Sequence, residues 1–335
     1  MAKPAAADKP RFHILGIGNA IVDVVAPVPE AFLSKHDMHK GAMALIDAAM
    51  AEKLYADMPP ATESSGGSAA NTCAVAALLG AQVAYLGRVA DDTLGGIFRH
   101  DITTLGVHFP TPPATEPDQR TARCLIAVTP DGQRTMNTFL GACTTFGPDN
   151  VDPALVADAQ VTYLEGYLFD PPAAQEAFRR AAAAAHEAGR QVALSLSDAF
   201  CVHRHRAAFR DLVANHVDIL FANEAEITAL YETNTLAEAA AHTRHDVALA
   251  AITMSEAGST IIRGAETLLI EAVPTQVIDT TGAGDAYAAG FLAAYTHNLP
   301  LKACGHLGSI AAAEVISHYG ARPLRDLSQE MRRLK

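Results

Sequence analysis

Apolar positions along the chain gather in short unbroken runs, separated by longer stretches in which they recur at helical spacing. The runs within Phe12–Gly18, Gln82–Val89, Val161–Leu168, Gln191–Ser197, Val217–Asn223 and Val247–Ser255 read as strands. Between them, Ser68–Gly80, Asp92–Gly106, Pro171–Gly189 and Arg204–Asn215 read as helices. The third helix carries its own punctuation: Pro171 and Pro172 suit a helix start and Gly189 a C-terminal cap. Apolar strands alternating with helices predict an α/β chain whose mostly parallel sheet is covered on both faces. The alternation breaks over about 24–46 and 107–140, where GAMALI, ARCLIAV and RTMNTFL look like strands without helices between them. Asp131–Gln133 suits a hairpin turn between the last two. These pieces are expected to form a small antiparallel sheet, a lid, inserted into the α/β body.

Composition narrows the class. Half of the 335 residues are hydrophobic, enough for a full core, and 25 Lys+Arg against 37 Asp+Glu leave a net charge of −12. That balance excludes a protein that holds nucleic acid by neutralising phosphates. The five cysteines are scattered without a C-x-x-C pair, which predicts small buried hydrophobes rather than a metal or disulfide framework. The opening MAKPAAADKPRF lacks the apolar core of a secretory signal, and the uncharged stretch 64–87 is too polar to span a membrane. A cytoplasmic protein with no membrane partner is expected.

Chemistry concentrates in five segments. In Val277–Tyr295, a strand-like end runs into Thr281-Gly282-Ala283-Gly284, and Asp285 heads an apolar helix. Small side chains leave the amides of Gly282, Ala283 and Gly284 uncovered at a helix N-terminus, which favours an anion. A simple cap accounts for Asp285 but not for the three small residues before it. In Ser64–Gly80, Gly66 and Gly67 precede a helix that carries Asn71 one turn in; either a polar ligand or a tight turn explains them. Gly16–Val24 resembles the dinucleotide fingerprint but has Ile21 in place of the last glycine. It places Asn19 and Asp23 near the end of the first strand, where α/β sheets bind ligands. Asn223 and Glu226 read equally as a capping box or as a polar pair ordering water around Mg²⁺. Ile252–Gly264 turns through Gly258 and is at least a hairpin. No Gly-Lys pair, H-E-x-x-H or G-x-S-x-G occurs. The spacings His36/His39, His203/His205 and His242/His245 suit solvated helix faces better than metal sites.

In this order the segments resemble the PfkB (ribokinase-like) family of sugar and nucleoside kinases, from Gly16 to about Pro323. D-T-T-G-A-G-D at Asp279–Asp285 is similar to the family's C-terminal signature. GGSAANTCAVAALLG followed by LGRVADDTLGG is similar to its N-terminal one, and Asn223-x-x-Glu226 to its magnesium motif. G-N-x-x-x-D at Gly18–Asp23 looks most like adenosine kinases. The resemblance implies a single ribokinase-like domain over 1–335, three-layer α/β/α with the lid. It implies ATP-dependent phosphorylation of a nucleoside such as adenosine at the ribose 5′-hydroxyl, with a PfkB-type sugar kinase for ribose, fructose or a keto-deoxy sugar acid as the alternative.

Residue by residue, the resemblance makes Asp285 the base and Gly282, Ala283 and Gly284 the anion hole. Asn19, Asp23, Gly67, Ser68, Asn71 and, in the lid, Arg134 would hold the acceptor. Asn223, Thr253, Ser255, Gly258, Gly282 and Gly284 would lie along ATP. Asn223 and Glu226 would hold Mg²⁺ through water, and Asp279 and Thr281 match positions that bind a monovalent cation such as K⁺. Where many relatives carry Lys or Arg on the ATP side, this chain has Met254 and no charge. The helix N-terminus is expected to hold the Asp285 pKa low. The partners implied are small molecules, with no nucleic acid; an apolar lid face leaves monomer or homodimer open.

Overall fold

The computed structural model describes residues 9–116 and 118–334; the first eight residues of the N-terminal segment read above lie outside them. β1 (Phe12–Ile17) leads through Gly18–Ala20 into β2 (Ile21–Pro27), α1 (Glu30–Lys35), β3 (Met43–Leu45), α2 (Ala48–Asp57) and β4 (Thr62–Gly66). The chain continues through α3 (Ser68–Leu78), β5 (Val83–Leu86) and α4 (Thr93–Thr104) to the hairpin β6 (Ala122–Val128) and β7 (Arg134–Phe139). Next come α5 (Pro153–Ala157), β8 (Ala159–Glu165), α6 (Pro172–Glu187), β9 (Gln191–Ser195) and α7 (Ala199–His216). β10 (Ile219–Asn223), α8 (Glu224–Tyr231), α9 (Leu236–Asp246) and β11 (Leu249–Thr253) precede the hairpin β12 (Ser259–Arg263) and β13 (Glu266–Ile270). The chain ends with α10 (Ala283–Thr296), α11 (Leu301–Val315) and α12 (Ser328–Leu334).

The main sheet has the order β13-β12-β11-β10-β9-β8-β1-β5. Its pairs are parallel from β5 to β11 and antiparallel through the terminal hairpins. α3, α4, α10 and α11 pack on one face through residues such as Ala70, Phe98, Phe291 and Leu307. α5 to α9 pack on the other through Val156, Phe178, Phe209, Ile227 and Ala239. This is the three-layer arrangement the alternation predicts. In α6, Ala174, Ala177, Phe178, Ala181, Ala182 and Ala185 form the buried stripe, and Gly189 takes φ +66 just past its end. Each fully buried Phe or Leu contributes about 1.5–3 kcal/mol, so truncating Phe178 or Phe209, both fully buried, weakens this layer. All five cysteines are buried and free, as their neighbours predict. No helix among the described residues is long and apolar enough to cross a membrane.

The second sheet, β3-β7-β6-β2-β4, forms the lid. β2–β4 and β6–β7 are antiparallel, whereas β2–β6 and β3–β7 run parallel. A purely antiparallel lid was expected. Only β6 and β7 are joined by a tight turn that dictates direction; β2 meets β6 after a long excursion through the body, which leaves direction free. The boundaries shift too. β4 joins the lid although T-E-S-S-G has no strand pattern, and α1 lies within 24–46. His108, expected in the lid, instead extends the main-sheet edge, bonding Val83 and Tyr85. On the outer face Val22, Val24 and Leu125 pack into the core with Leu54 of α2. The opposite face carries Asp23, Cys124 and Thr138 in one register row, and from it Asp23 feels the charges of Arg322, Arg134 and Asp285.

Candidate active site

The site gathers residues from main-sheet strand ends, from the lid strands and from the first turns of α3, α8 and α10. α10 is buried on nearly all sides, from Ala286 to Ala294. Its Gly290 lies so close to α11 that a Cβ would meet the Leu307 carbonyl at 2.5 Å. A helix locked this way holds its first turn rigidly. Gly282 is its N-cap at φ +78, and a Cβ there would meet Ala321 at 2.7 Å. Ala283 N–H turns inward to Thr280 O at 3.2 Å, so it is not free for an anion. The amides of Gly284 and Asp285 have no carbonyl four residues back within the helix. Gly284 is exposed and has open space before it. Of the three amides expected from sequence, that of Ala283 is already engaged.

Asp285 accepts hydrogen bonds from Ser68 Oγ at 2.6 Å and Asn71 Nδ2 at 3.3 Å. Thr72 Oγ1 lies 3.3 Å from its backbone carbonyl. The start of α3 and the start of α10 thus converge on one carboxylate. Burial pushes the Asp285 pKa up to about 6, against the lowering effect of Ser68 and Asn71. This is the opposite direction to the depressed value expected from sequence: loss of water outweighs the two hydrogen bonds.

Asp23 lies within β2, on the lid, rather than at the end of the first strand. Its carboxylate presses on Gly66, where a Cβ would stand 2.3 Å from Oδ2. Burial raises its pKa to about 6, opposed by Arg322 and Arg134 and reinforced by Asp285. Asn19, 3% exposed, donates from Nδ2 to Glu165 Oε1 at 2.8 Å. The other Glu165 oxygen accepts Ala69 N–H at 2.7 Å. Gly67, at φ +94, admits Asn19 O, which a Cβ would meet at 2.1 Å. Glu165 therefore ties the β1–β2 connection to the start of α3, and burial lifts its pKa to about 7.

At the far side of the cleft, Asn223 and Glu226 form a full capping box. Asn223 N and Nδ2 donate to Glu226 at 3.0 and 2.7 Å, and Glu226 N donates to Asn223 Oδ1 at 2.9 Å. Glu226 is buried and its pKa rises to about 7, through desolvation and the charges of Asp198 and Asp285. The capping-box reading is the one this geometry shows. Thr253 lies beside Asn223 in the sheet. Ser255 and Gly258 shape the β11–β12 turn, and a Cβ on Gly258 would meet Ile270 O at 2.0 Å. Arg134 does not point at an open acceptor site: it is ion-paired with Asp279, which also accepts from Thr281.

Four residues escaped the sequence reading. Glu165 ends β8 and Asp198 lies just beyond β9, at the carboxyl ends of parallel strands like Asn19 and Asn223, so that rule would have found them. Tyr167 is 37% exposed, and its hydroxyl feels the charges of Asp198, Asp285 and Glu226. Arg322 had no such signal. From the loop after α11 it reaches Asp101 at 2.9 Å and Ser65 Oγ at 2.7 Å, pinning that loop to β4 and α4. Of the histidines, His36 is buried near Asp57 rather than solvated, and His205 bonds Asp170 at 2.7 Å. No His/Cys/Asp/Glu cluster fit to hold a metal directly occurs among the described residues.

Comparison with known proteins agrees with this arrangement. The model of the pfkB family of carbohydrate kinases matches residues 44–327. The adenosine kinase of Saccharomyces cerevisiae is 28% identical, covering 91% of this chain and 94% of its own. The crystal structure of adenosine kinase from Sinorhizobium meliloti superposes with a TM-score of 0.88 at 52% identity, over 96% of this chain and 99% of that one. A probable sugar kinase from Rhizobium etli superposes equally, at 0.88 and 49% identity, over 97% and 98%.

Proposed function

The chain belongs to the pfkB family of carbohydrate kinases and is an ATP-dependent phosphotransferase acting on a nucleoside or sugar, and within that class we propose that it phosphorylates adenosine at the ribose 5′-hydroxyl. The observation that carries this reading is the cleft-facing side of the lid. Beyond the row of Asp23, Cys124 and Thr138 stand Val25, Ile126, Met136 and Met43, paired in register across four strands. Met43 and Leu45 are each 52% exposed. A free sugar presents hydroxyls on every side and leaves such a surface unused. A nucleoside offers hydroxyls to Asp23 and a flat base to methionine, leucine and the exposed ring of Tyr167.

The residues divide the labour as phosphoryl transfer requires, since its loose transition state is helped mainly by positioning and charge. Asp285 orients the 5′-hydroxyl and takes its proton as the bond to phosphorus develops, while Ser68 and Asn71 fix the carboxylate. The amides of Gly284 and Asp285, with the α10 terminus behind them, face the charge on the transferred group. Asp23 accepts from ribose hydroxyls, and the Glu165–Asn19–Ala69 bonds hold the wall around them. Thr253, Ser255 and Gly258 line the approach for ATP. Asn223 and Glu226, with the charge of Asp198 beside them, fit Mg²⁺ held through its waters. When bound, that ion screens the phosphates.

Purified protein given ATP, Mg²⁺ and a panel of nucleosides and sugars decides the matter through ADP release and product mass. A nucleoside monophosphate from adenosine supports the reading. Turnover on ribose or fructose with none on adenosine replaces it with a sugar kinase.

A further inference from the structure

The family resemblance assigns Asp279 and Thr281 to a monovalent cation, and this chain's donor set can be tested against that assignment. Asp279 Oδ1 accepts Thr281 N–H at 3.0 Å and Thr281 Oγ1 at 2.7 Å. Asp279 Oδ2 accepts Gly320 N–H at 3.3 Å and the Nη1 of Arg134. An ionised carboxylate has about four acceptor positions, and all are taken. Across from it, the Ile316 carbonyl already accepts Ile278 N–H at 2.8 Å and Asp279 N–H at 3.3 Å. The Arg134 and Asp279 side chains are only 11% and 7% exposed, so their charges meet with little water between them. An added cation at Asp279 would have to displace a donor and face the guanidinium. The residues present do not fit one.

We propose that the Arg134 guanidinium occupies the place of a monovalent cation at Asp279, so that a lid residue supplies the positive charge and the kinase needs no K⁺. The same pair fastens lid to body, because Arg134 opens β7 while Asp279 lies just before the anion-site turn. The hairpin tip reinforces the contact: a Cβ on Gly132 would meet the Tyr319 hydroxyl at 2.6 Å. The inference rests on the family reading of the site and not on which acceptor is used.

The test is thermal melting of the full chain, without nucleotide or acceptor, in chlorides of choline, Li⁺, Na⁺ and K⁺ at matched ionic strength. A specific site would raise the melting temperature saturably with K⁺ by mass action; the wild type is expected to melt alike in all four. Arg134→Met frees one acceptor position and removes the competing charge. It should melt lower in choline and recover saturably with K⁺. Adding Asp279→Asn should abolish that recovery. Wild-type initial rates with ATP and its best acceptor should be equal in choline and K⁺ buffers. A K⁺-specific, saturable rise in wild-type melting overturns the proposal, as does an Arg134→Met protein indifferent to the cation. If that variant fails to fold, the wild-type melting decides alone. Because melting involves no acceptor, an error in the substrate assignment leaves this result intact.

Discussion

Replacing Gly66 by alanine should damage acceptor binding and little else. Gly66 does not have a positive φ, so alanine suits its backbone and the effect is steric. The new methyl would stand 2.3 Å from Asp23 Oδ2 and 2.7 Å from Oδ1. To regain ordinary contact the carboxylate must retreat by about 1 Å. A hydrogen bond stretched that far is lost, and one to a charged group is worth about 1.5–3 kcal/mol. That converts to a rise of about 10- to 150-fold in the acceptor KM. The KM for ATP and the saturated rate should hold, because Asp23 grips the part of the substrate remote from transfer. The assay is ADP release with adenosine varied, beside a melting curve that shows the variant folded. Gly96→Ala is the control: it lies exposed in α4 with open space around it, and should gain up to ~1 kcal/mol of helix stability with unchanged kinetics. A folded Gly66→Ala enzyme with wild-type KM for adenosine would remove Asp23 from acceptor binding.

Other consequences can be read in the same assays. Asp285→Asn keeps the shape of the group but not its basicity, so adenosine binding by calorimetry should survive while turnover falls by orders of magnitude; retained turnover would end its role as base. With the Asp285 pKa at about 6, the rate should drop roughly tenfold per unit below about pH 6, and a flat profile down to pH 5 contradicts this. Glu165 is raised from 4.5 to about 7, so between those values the fold binds more protons than the unfolded chain. Its contribution is therefore full at low pH and lost as pH rises through about 7, on the order of 3 kcal/mol at most. Glu165→Gln cannot ionise. Its melting deficit against wild type should be largest near pH 5 and shrink by pH 8; a deficit that grows with pH refutes the assignment.

Legibility in the sequence followed the range of the interactions. The parallel sheet, α6 and the β6–β7 hairpin rest on local patterns, and 12–18, 171–189 and 131–133 display them. The turn before α10 was visible because Gly282 is needed where it stands, at a positive φ and against Ala321. β4 was not, since T-E-S-S-G becomes a strand only by pairing with β2. The parallel pairing of β2 with β6 has no local cause either. Arg322 reaches Ser65 across 257 positions of chain, beyond any window. The depressed pKa expected for Asp285 failed for a related reason: the helix terminus is local, but burial is set by the whole fold. The Asn223–Glu226 pair shows the converse: a capping box is a local device, and its residue spacing displays it.

The route of the chain between body and lid carries a consequence for how such a protein diversifies. Asn19 occupies the passage from β1 to β2, and Gly67 alone separates β4 from α3. On the proposed reading these two crossing points form part of the acceptor wall, whereas Asn223, Thr253 and Gly284 lie on elements that never leave the body. On the same reading, a change in the lid away from Arg134 alters what is gripped without disturbing what is transferred. The phosphate-handling half would then serve as a fixed motor and the lid, tied to it at Arg134 and Asp279, as an exchangeable jaw.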